Sequence, residues 1–345
     1  MARRRRRKRR KSFGKRLFSF VLALVIIAAG IGVLGLNYTK NKLENLSYVE
    51  LDKSALATGD SLKDYRNIVI LGTDTRDMSN YQGSRTDSII IVSINKKSGD
   101  IRLISVYRDT MLDITDVGLD KVTHAFAYGG PEKTISTLNR NLDLNIEEFA
   151  ALNFRTVQKV VDDVGGIEID IQEDEIEQMN YYLPGTAKYC KSDYTLIEHA
   201  GKQHLDGVQA VTYSRIRHTE GGDYKRTERM RTVLTACFHQ LKKMSIFEIN
   251  AMLDDVLPEI STNMTPSDIM PLMLKMAKMD IKGSTGWPYE KEGYISSKQV
   301  WYAAPVTLRS NVKKLHKKAF KEKDYEPTEQ VQNISDSISW LTGYY

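Results

Sequence analysis

Leu17 to Leu36 reads LFSFVLALVIIAAGIGVLGL, twenty residues without a charge. At about 1.5 Å per residue, a helix of this length matches the roughly 30 Å of a bilayer's hydrocarbon. It is read as an uncleaved transmembrane anchor. The alternative, a cleaved signal peptide, normally has an apolar region of about 7 to 15 residues and a small-x-small cleavage site, and no convincing one follows here. Asn37 to Arg66 is polar and reads as a stalk fading into a folded domain over 67–320. A short apolar run, Ile68 to Leu71, then empties into a loop carrying Asp74, Arg76 and Asp77. Ser88 to Ile94 and Ile101 to Val106, rich in Ile and Val and joined by Ser98-Gly99, read as two more buried strands.

Further on, the periodicity alternates. A helix is predicted from about Glu132 to Leu142. A second is predicted over Ile146 to Val164, where Phe149, Leu152, Phe154, Val157, Val160 and Val161 recur at helical spacing. Gly165 and Gly166 end it, and Ile167, Ile169 and Ile171 alternate with polar residues as a half-exposed strand. Glu173 to His199 reads as a long surface excursion, unusually rich in Tyr and holding Cys190. Leu205 and Val208 begin a short helix, Val211 to Ile216 reads as a strand, and Met230, Val233, Leu234, Cys237 and Leu241 share one helix face. Asn250 to Asp280 reads as helix broken near Pro258 and Pro266. Beyond Gly283 the periodicity is weak, and 321–345 reads as a polar tail. The expected class is α/β, a mixed central β-sheet covered by helices, behind the single N-terminal anchor.

Charge sharpens the topology. The net +6 arises from residues 3–16, which hold eleven Lys and Arg and no acid; without them 39 basic face 44 acidic residues, a net of -5. The tail 1–16 therefore lies on the cytoplasmic side and the domain outside. A mildly acidic body gives no reason to expect a nucleic-acid partner.

The chemistry candidates are arginines and aspartates at strand ends. Arg85, Arg108, Arg215, Arg217 and Arg226 each stand beside a predicted strand, where guanidinium geometry suits bidentate phosphate contacts. On the predicted strand, Arg215 and Arg217 point to one side with Tyr213. The bland reading of each is a salt bridge to a local acid; taken together they suggest a phosphate or pyrophosphate site. Asp74, Asp87 and Asp109 occupy similar positions, as charge partners or as oxygen ligands for Mg²⁺, commonly held by one or two carboxylates plus substrate phosphates. His218 is a candidate ligand contact. No zinc spacing, Walker A, GxGxxG or GxSxG pattern appears. Cys190 and Cys237 are candidates for a disulfide, although Cys237 reads equally well as a small core residue.

At this point the segments resemble a known family. NIVILGTDTR (67–76), RTDSIIIVSINKKSGDIRLISVYRD (85–109), KVTHAFAYGG (121–130), VVDDVGGIEIDI (160–171), HLDGVQAVTYSRIRH (204–218) and GDYKRTERM (222–230) are together similar to the LytR-CpsA-Psr family of membrane-anchored cell-wall enzymes. The resemblance implies transfer of a glycopolymer phosphate, such as teichoic acid or capsule, from undecaprenyl pyrophosphate to peptidoglycan, usually at the 6-hydroxyl of N-acetylmuramic acid. It places pyrophosphate contacts on Arg85, Arg108, Arg215, Arg217 and Arg226. It places Mg²⁺ (or Mn²⁺) on Asp74 and Asp87, and catalysis on Asp87, Arg108, Asp109 and Arg217. The lipid would lie in an apolar groove between the sheet and its helices. The chain departs from the usual pattern at Tyr107, where a proline commonly precedes ArgAsp, and over Tyr181 to Ala200. The rival readings are a hydrolase of the same lipid-linked pyrophosphate, a non-enzymatic regulator, or a wall-binding scaffold. The oligomeric state is left open.

Overall fold

The structure, a computed structural model, describes residues 47–345 apart from 60, 76–82, 242, 245–247, 249–250, 253–254, 266–267 and 269–278. The basic tail and the predicted anchor lie outside the described residues. In chain order the strands and helices are β1 (Ser47–Tyr48), β2 (Tyr65–Thr73), β3 (Thr86–Asn95), β4 (Asp100–Val106), β5 (Met111–Ile114), β6 (Gly118–Lys121), α1 (Val122–Leu142), β7 (Ile146–Leu152), α2 (Phe154–Asp163), β8 (Ile167–Ile171), α3 (Glu173–Cys190), β9 (Gly201–Leu205), α4 (Gly207–Arg215), α5 (Gly222–Leu241), β10 (Ser261–Thr262), β11 (Asp280–Trp287), β12 (Lys291–Ile295), β13 (Trp301–Pro305), α6 (Leu308–Leu315) and α7 (Glu329–Thr342). Seven strands form one mixed sheet in the order β1-β10-β7-β2-β3-β4-β11. Antiparallel β2-β3-β4 is its centre, with β7 added parallel to β2 and β11 parallel to β4.

The continuous apolar runs of β2 and β3 follow from helices on both faces. Alternation sends Ile68, Ile70, Ile90 and Val92 to one core with Val160, Val161, Val233 and Leu234 from α2 and α5. Val69, Leu71, Ile89 and Ile91 go to the other, with Phe126 and Leu138 from α1, Val312 from α6 and Ile338 from α7. The α/β expectation therefore holds, but several elements differ from those predicted. The predicted helix over 146–164 is strand β7 followed by helix α2. Asn153 caps α2, accepting from Thr156 N in a capping box, and Phe149, Ala150 and Ala151 are buried at 0% exposure inside the sheet. The supposed excursion is mostly helix α3, whose first turn carries Glu173, Asp174 and Glu175, where acids suit the helix dipole. Val211 to Ile216 lies mainly in α4, started by the Asp206–Gln209 capping box.

Two further segments fold where the pattern was too weak to show it. In the predicted stalk, Leu56 and Leu62 are buried in the second core, and beyond 320 so are Val331, Ile334 and Ile338 of α7. Cys190 and Cys237 are both free, buried thiols. Cys190 packs with Leu183, Ala187 and Val208, whereas Cys237 belongs to the main core, so the candidate disulfide is not formed.

One acid in this frame opposes folding. Asp163 ends α2, the unfavourable pole for a carboxylate, and its Oδ2 is buried without a hydrogen-bond partner. Burial, with help from Asp255 and Asp162, pushes its carboxyl from 3.8 up to about 6. The folded state then keeps a proton that the unfolded chain has already lost, so this group lowers stability as pH rises between those values. Asp163→Asn is expected to raise the calorimetric Tm near neutral pH and to leave it unchanged below about pH 4.

Candidate active site

The site forms where the C-terminal ends of β2, β4 and β7 meet the start of β3. Gly72 pairs with Ser88 and Thr73 with Thr86, so Asp87 is the unmatched residue of a bulge. Bulges re-aim side chains beside active sites. Gly72 permits the close approach, since a Cβ there would meet the Ser88 Cβ at 2.9 Å.

Asp87 is the electrostatic centre. Its Oδ1 accepts from Arg108 Nη1, and lies 3.8 Å from Arg217 Nη2 and 3.9 Å from Arg226 Nη1. Arg226 Nη2 also donates to the Asp87 carbonyl at 3.2 Å. Asp223, in the first turn of α5, pairs with Arg226 at 2.9 Å and Arg217 at 3.6 Å. Arg215, in the last turn of α4, donates to Thr186 Oγ1 at 2.6 Å and lies over the Phe154 ring at 5.1 Å. Burial draws the Arg215 and Arg226 pKa values down, against the neighbouring carboxylates, yet both stay charged at any ordinary pH. Arg226 is only 2% exposed.

The arrangement is short of negative charge. Arg108, Lys121, Arg215, Arg217 and Arg226 face Asp87, Asp109 and Asp223, five positive groups against three negative. The Nε atoms of Arg108 and Arg226 are buried without hydrogen-bond partners, and such donors are costly unless an acceptor arrives. A pyrophosphate diester, carrying two negative charges and many acceptor oxygens, would supply both.

Asp87, Phe154, Tyr182, Arg215, Arg217, Arg226 and Met230 line a polar pocket. An apolar groove adjoins it, sharing Asp87, Phe154 and Met230 and continuing past Ile70, Ile90, Leu152, Val157, Val233 and Leu234. A charged head site therefore opens into an apolar slot between the sheet and helices α2 and α5.

The other predicted residues fall around this centre. Asp109 Oδ1 lies 2.8 Å from Lys121 Nζ, and its Oδ2 lies 3.6 Å from Arg108 Nε. Asp74 follows β2, and its Oδ1 accepts the Arg85 backbone N–H at 2.8 Å. The Arg85 side chain is exposed and makes no ion pair among the described residues; Arg76 and Asp77 lie outside them. Arg215 and Arg217 converge because α4 ends between them, at Ile216 with ψ of 129°, and not by alternation on one strand. Asp223, Lys121, Thr186 and Tyr182 were missed. Only Asp223 carried a local signal, since Asp three positions before Arg226 on a helix makes an i,i+3 pair.

Tyr107 explains its own departure from proline. Its N–H donates to Trp287 O at 3.0 Å, a bond proline cannot make. Its ring meets Tyr224 edge-on at 4.5 Å, and Lys291 Nζ sits over both rings at 4.9 and 4.4 Å. Tyr107 thereby braces the turn of α5 that carries Asp223 and Arg226.

Among the described residues no group of three or more metal-ligating side chains gathers. Asp74 and Asp87 are hard oxygen donors on neighbouring strand ends, which fits a cation completed by substrate phosphates and does not fit a self-sufficient protein cage.

The LytR_cpsA_psr family model matches residues 35–318. The chain belongs to this family. It is 26% identical over 302 residues to the polyisoprenyl-teichoic acid–peptidoglycan teichoic acid transferase TagT of Bacillus subtilis, covering 84% of this chain and 91% of that protein. Against TagU of Enterococcus faecalis it is 27% identical over 271 residues, 76% and 84% of the two chains. Among solved structures it resembles protein gbs0355 of Streptococcus agalactiae (TM-score 0.64, 24% identity, 77% and 90% coverage). It also resembles TagT with bound octaprenyl pyrophosphate lipid (TM-score 0.53, 21% identity, 86% and 94% coverage). These likenesses establish the shared fold.

Proposed function

We propose that this chain is a membrane-anchored phosphotransferase that moves a glycopolymer phosphate from an undecaprenyl pyrophosphate-linked donor to peptidoglycan, at the 6-hydroxyl of N-acetylmuramic acid. The observation that carries this reading is the arginine pocket with unfilled charge and orphaned Nε donors, opening directly into an apolar groove. A polyprenyl pyrophosphate has that same division into anionic head and apolar tail. The names of the relatives, teichoic acid transferases acting on polyisoprenyl-linked donors, support it. The predicted anchor, with the catalytic domain outside the membrane, would hold the site close to its lipid substrate.

In the reaction the acceptor oxygen attacks the distal phosphorus. The bond from that phosphorus to the bridging oxygen breaks, and undecaprenyl phosphate leaves. Arg108, Arg217 and Arg226 compensate charge on the phosphoryl oxygens and the leaving phosphate. Asp87 Oδ1 faces those guanidiniums and fixes their positions, and the acceptor proton is assigned to Asp109, with Lys121 and Arg108 orienting it. Asp74 and Asp87 would hold Mg²⁺ or Mn²⁺, which polarises phosphoryl oxygens when bound.

Purified full-length protein should move label from a polyprenyl pyrophosphoryl glycopolymer onto peptidoglycan fragments, and EDTA should lower that rate with recovery on Mg²⁺ addition. Free polymer phosphate formed equally with and without acceptor would identify a hydrolase instead. Activity indifferent to EDTA, with no cation retained, would remove the roles given to Asp74 and Asp87.

A further inference from the structure

The arginine pocket shares Asp87, Phe154 and Met230 with the apolar groove, whereas Tyr182, Arg215, Arg217 and Arg226 line the pocket alone. With the lipid tail in the groove, Tyr182 is the one of these four that offers a ring to whatever the distal phosphate carries. The surface there is aromatic. The His218 ring stacks on Tyr182 at 6.4 Å between centroids and 11° between planes, and Tyr181 meets Tyr182 edge-on at 5.3 Å. Tyr181 is 75% exposed, so its ring is open to a ligand in solvent.

This aromatic step is tied to the site. Thr186 Oγ1 donates to the Tyr182 carbonyl at 3.1 Å while accepting from Arg215 at 2.6 Å. One helical turn further on, Tyr189 Oη donates to Thr75 O at 3.1 Å, and its ring meets Phe154 edge-on at 5.8 Å. The α3 helix is thus fastened across the pocket at two points, and Tyr181 and Tyr182 lie at its middle. Flat rings with one open face and polar edges suit the C–H face of a pyranose, while the hydroxyl and imidazole edges suit its hydroxyls.

We propose that Tyr182, His218 and Tyr181 form the subsite for the donor's first sugar, the pyranose bonded to the distal phosphate, and that this step of α3 helps select the glycopolymer. The inference rests on the pyrophosphate reading above and adds to it which residues meet the sugar. It also gives a role to the stretch that departs from the usual family pattern.

The test compares two probes on the full-length protein in detergent: undecaprenyl pyrophosphate alone, and undecaprenyl pyrophosphate bearing one N-acetylglucosamine. The readout is the ratio of their affinities, so that general damage to the pocket cancels. The wild type should favour the sugar-bearing lipid by about five- to tenfold. Tyr182→Leu and Tyr181→Ala should bring the ratio toward one, while Tyr182→Phe, which keeps the ring, should preserve most of it. Circular dichroism of each variant confirms that α3 remains folded. A wild-type ratio of one, or a ratio unchanged in Tyr182→Leu and Tyr181→Ala, overturns the subsite. Failure of the wild type to bind either lipid removes the pyrophosphate site itself, a separate and distinguishable result.

Discussion

Arg226→Ala is expected to lower the rate of polymer transfer by about a thousandfold or more, the scale on which a phosphate-stabilising arginine acts. The side chain is 2% exposed and anchored by Asp223 and the Asp87 carbonyl, so no other cation can swing into its place. Arg108→Ala and Arg217→Ala should show losses of the same kind with the fold intact. Arg217 is the more exposed of the three, so its replacement should disturb stability least. Single-turnover transfer with saturating donor, alongside thermal unfolding of each variant, separates lost chemistry from lost structure. Wild-type transfer by the Arg108 or Arg217 variant would sink the assignment of the site.

Glu175→Ala is expected to destabilise the protein by about 3–5 kcal/mol, the usual effect of stripping one partner from a buried ion pair. Glu175 Oε1 lies 2.7 Å from Arg229 Nε, and both side chains are 2% exposed. Arg229 also donates to Ile216 O at 3.2 Å and Thr219 Oγ1 at 2.6 Å. The pair therefore clamps the start of α3 and the body of α5 to the loop between α4 and α5, the loop that carries Arg217. Urea unfolding should show the midpoint fall for Glu175→Ala, and Glu175→Leu combined with Arg229→Leu should recover part of it. A Glu175→Ala midpoint equal to wild type would mean that the buried charge is solvated in some other way.

The sheet centre was legible because β2, β3 and β4 are covered on both faces, which forces runs such as Ile89 to Val92 to be apolar throughout. Strand ends carrying Asp74, Asp87, Arg108 and Asp109 were legible for a related reason: charges abutting such runs need partners. Elements whose identity is settled by capping and neighbours were not legible. Phe149 and Leu152 fit helical spacing as well as a strand, and the β7–α2 boundary is set by one Asn153 side chain together with the sheet edge that β2 offers. Val211, Thr212 and Tyr213 favour a strand by their shapes, but the Asp206 cap and packing against α2, α3 and α5 make them helical. The acidic, tyrosine-rich stretch looked like loop because α3 buries only a narrow stripe.

The sequence alone determined the α/β class, the strand-end arginines and their likeness to one family, since each is written in local runs or in residue types that water would penalise elsewhere. Tertiary structure alone decided which of those charges meet. The bulge turns Asp87 into the shared partner of Arg108, Arg217 and Arg226. The end of α4 sends Arg215 and Arg217 to the same pocket, and α3 brings Thr186 and Tyr182 to its rim. Those meetings depend on register, helix termini and packing between residues as much as 139 positions apart, and no local pattern encodes a distance of that kind.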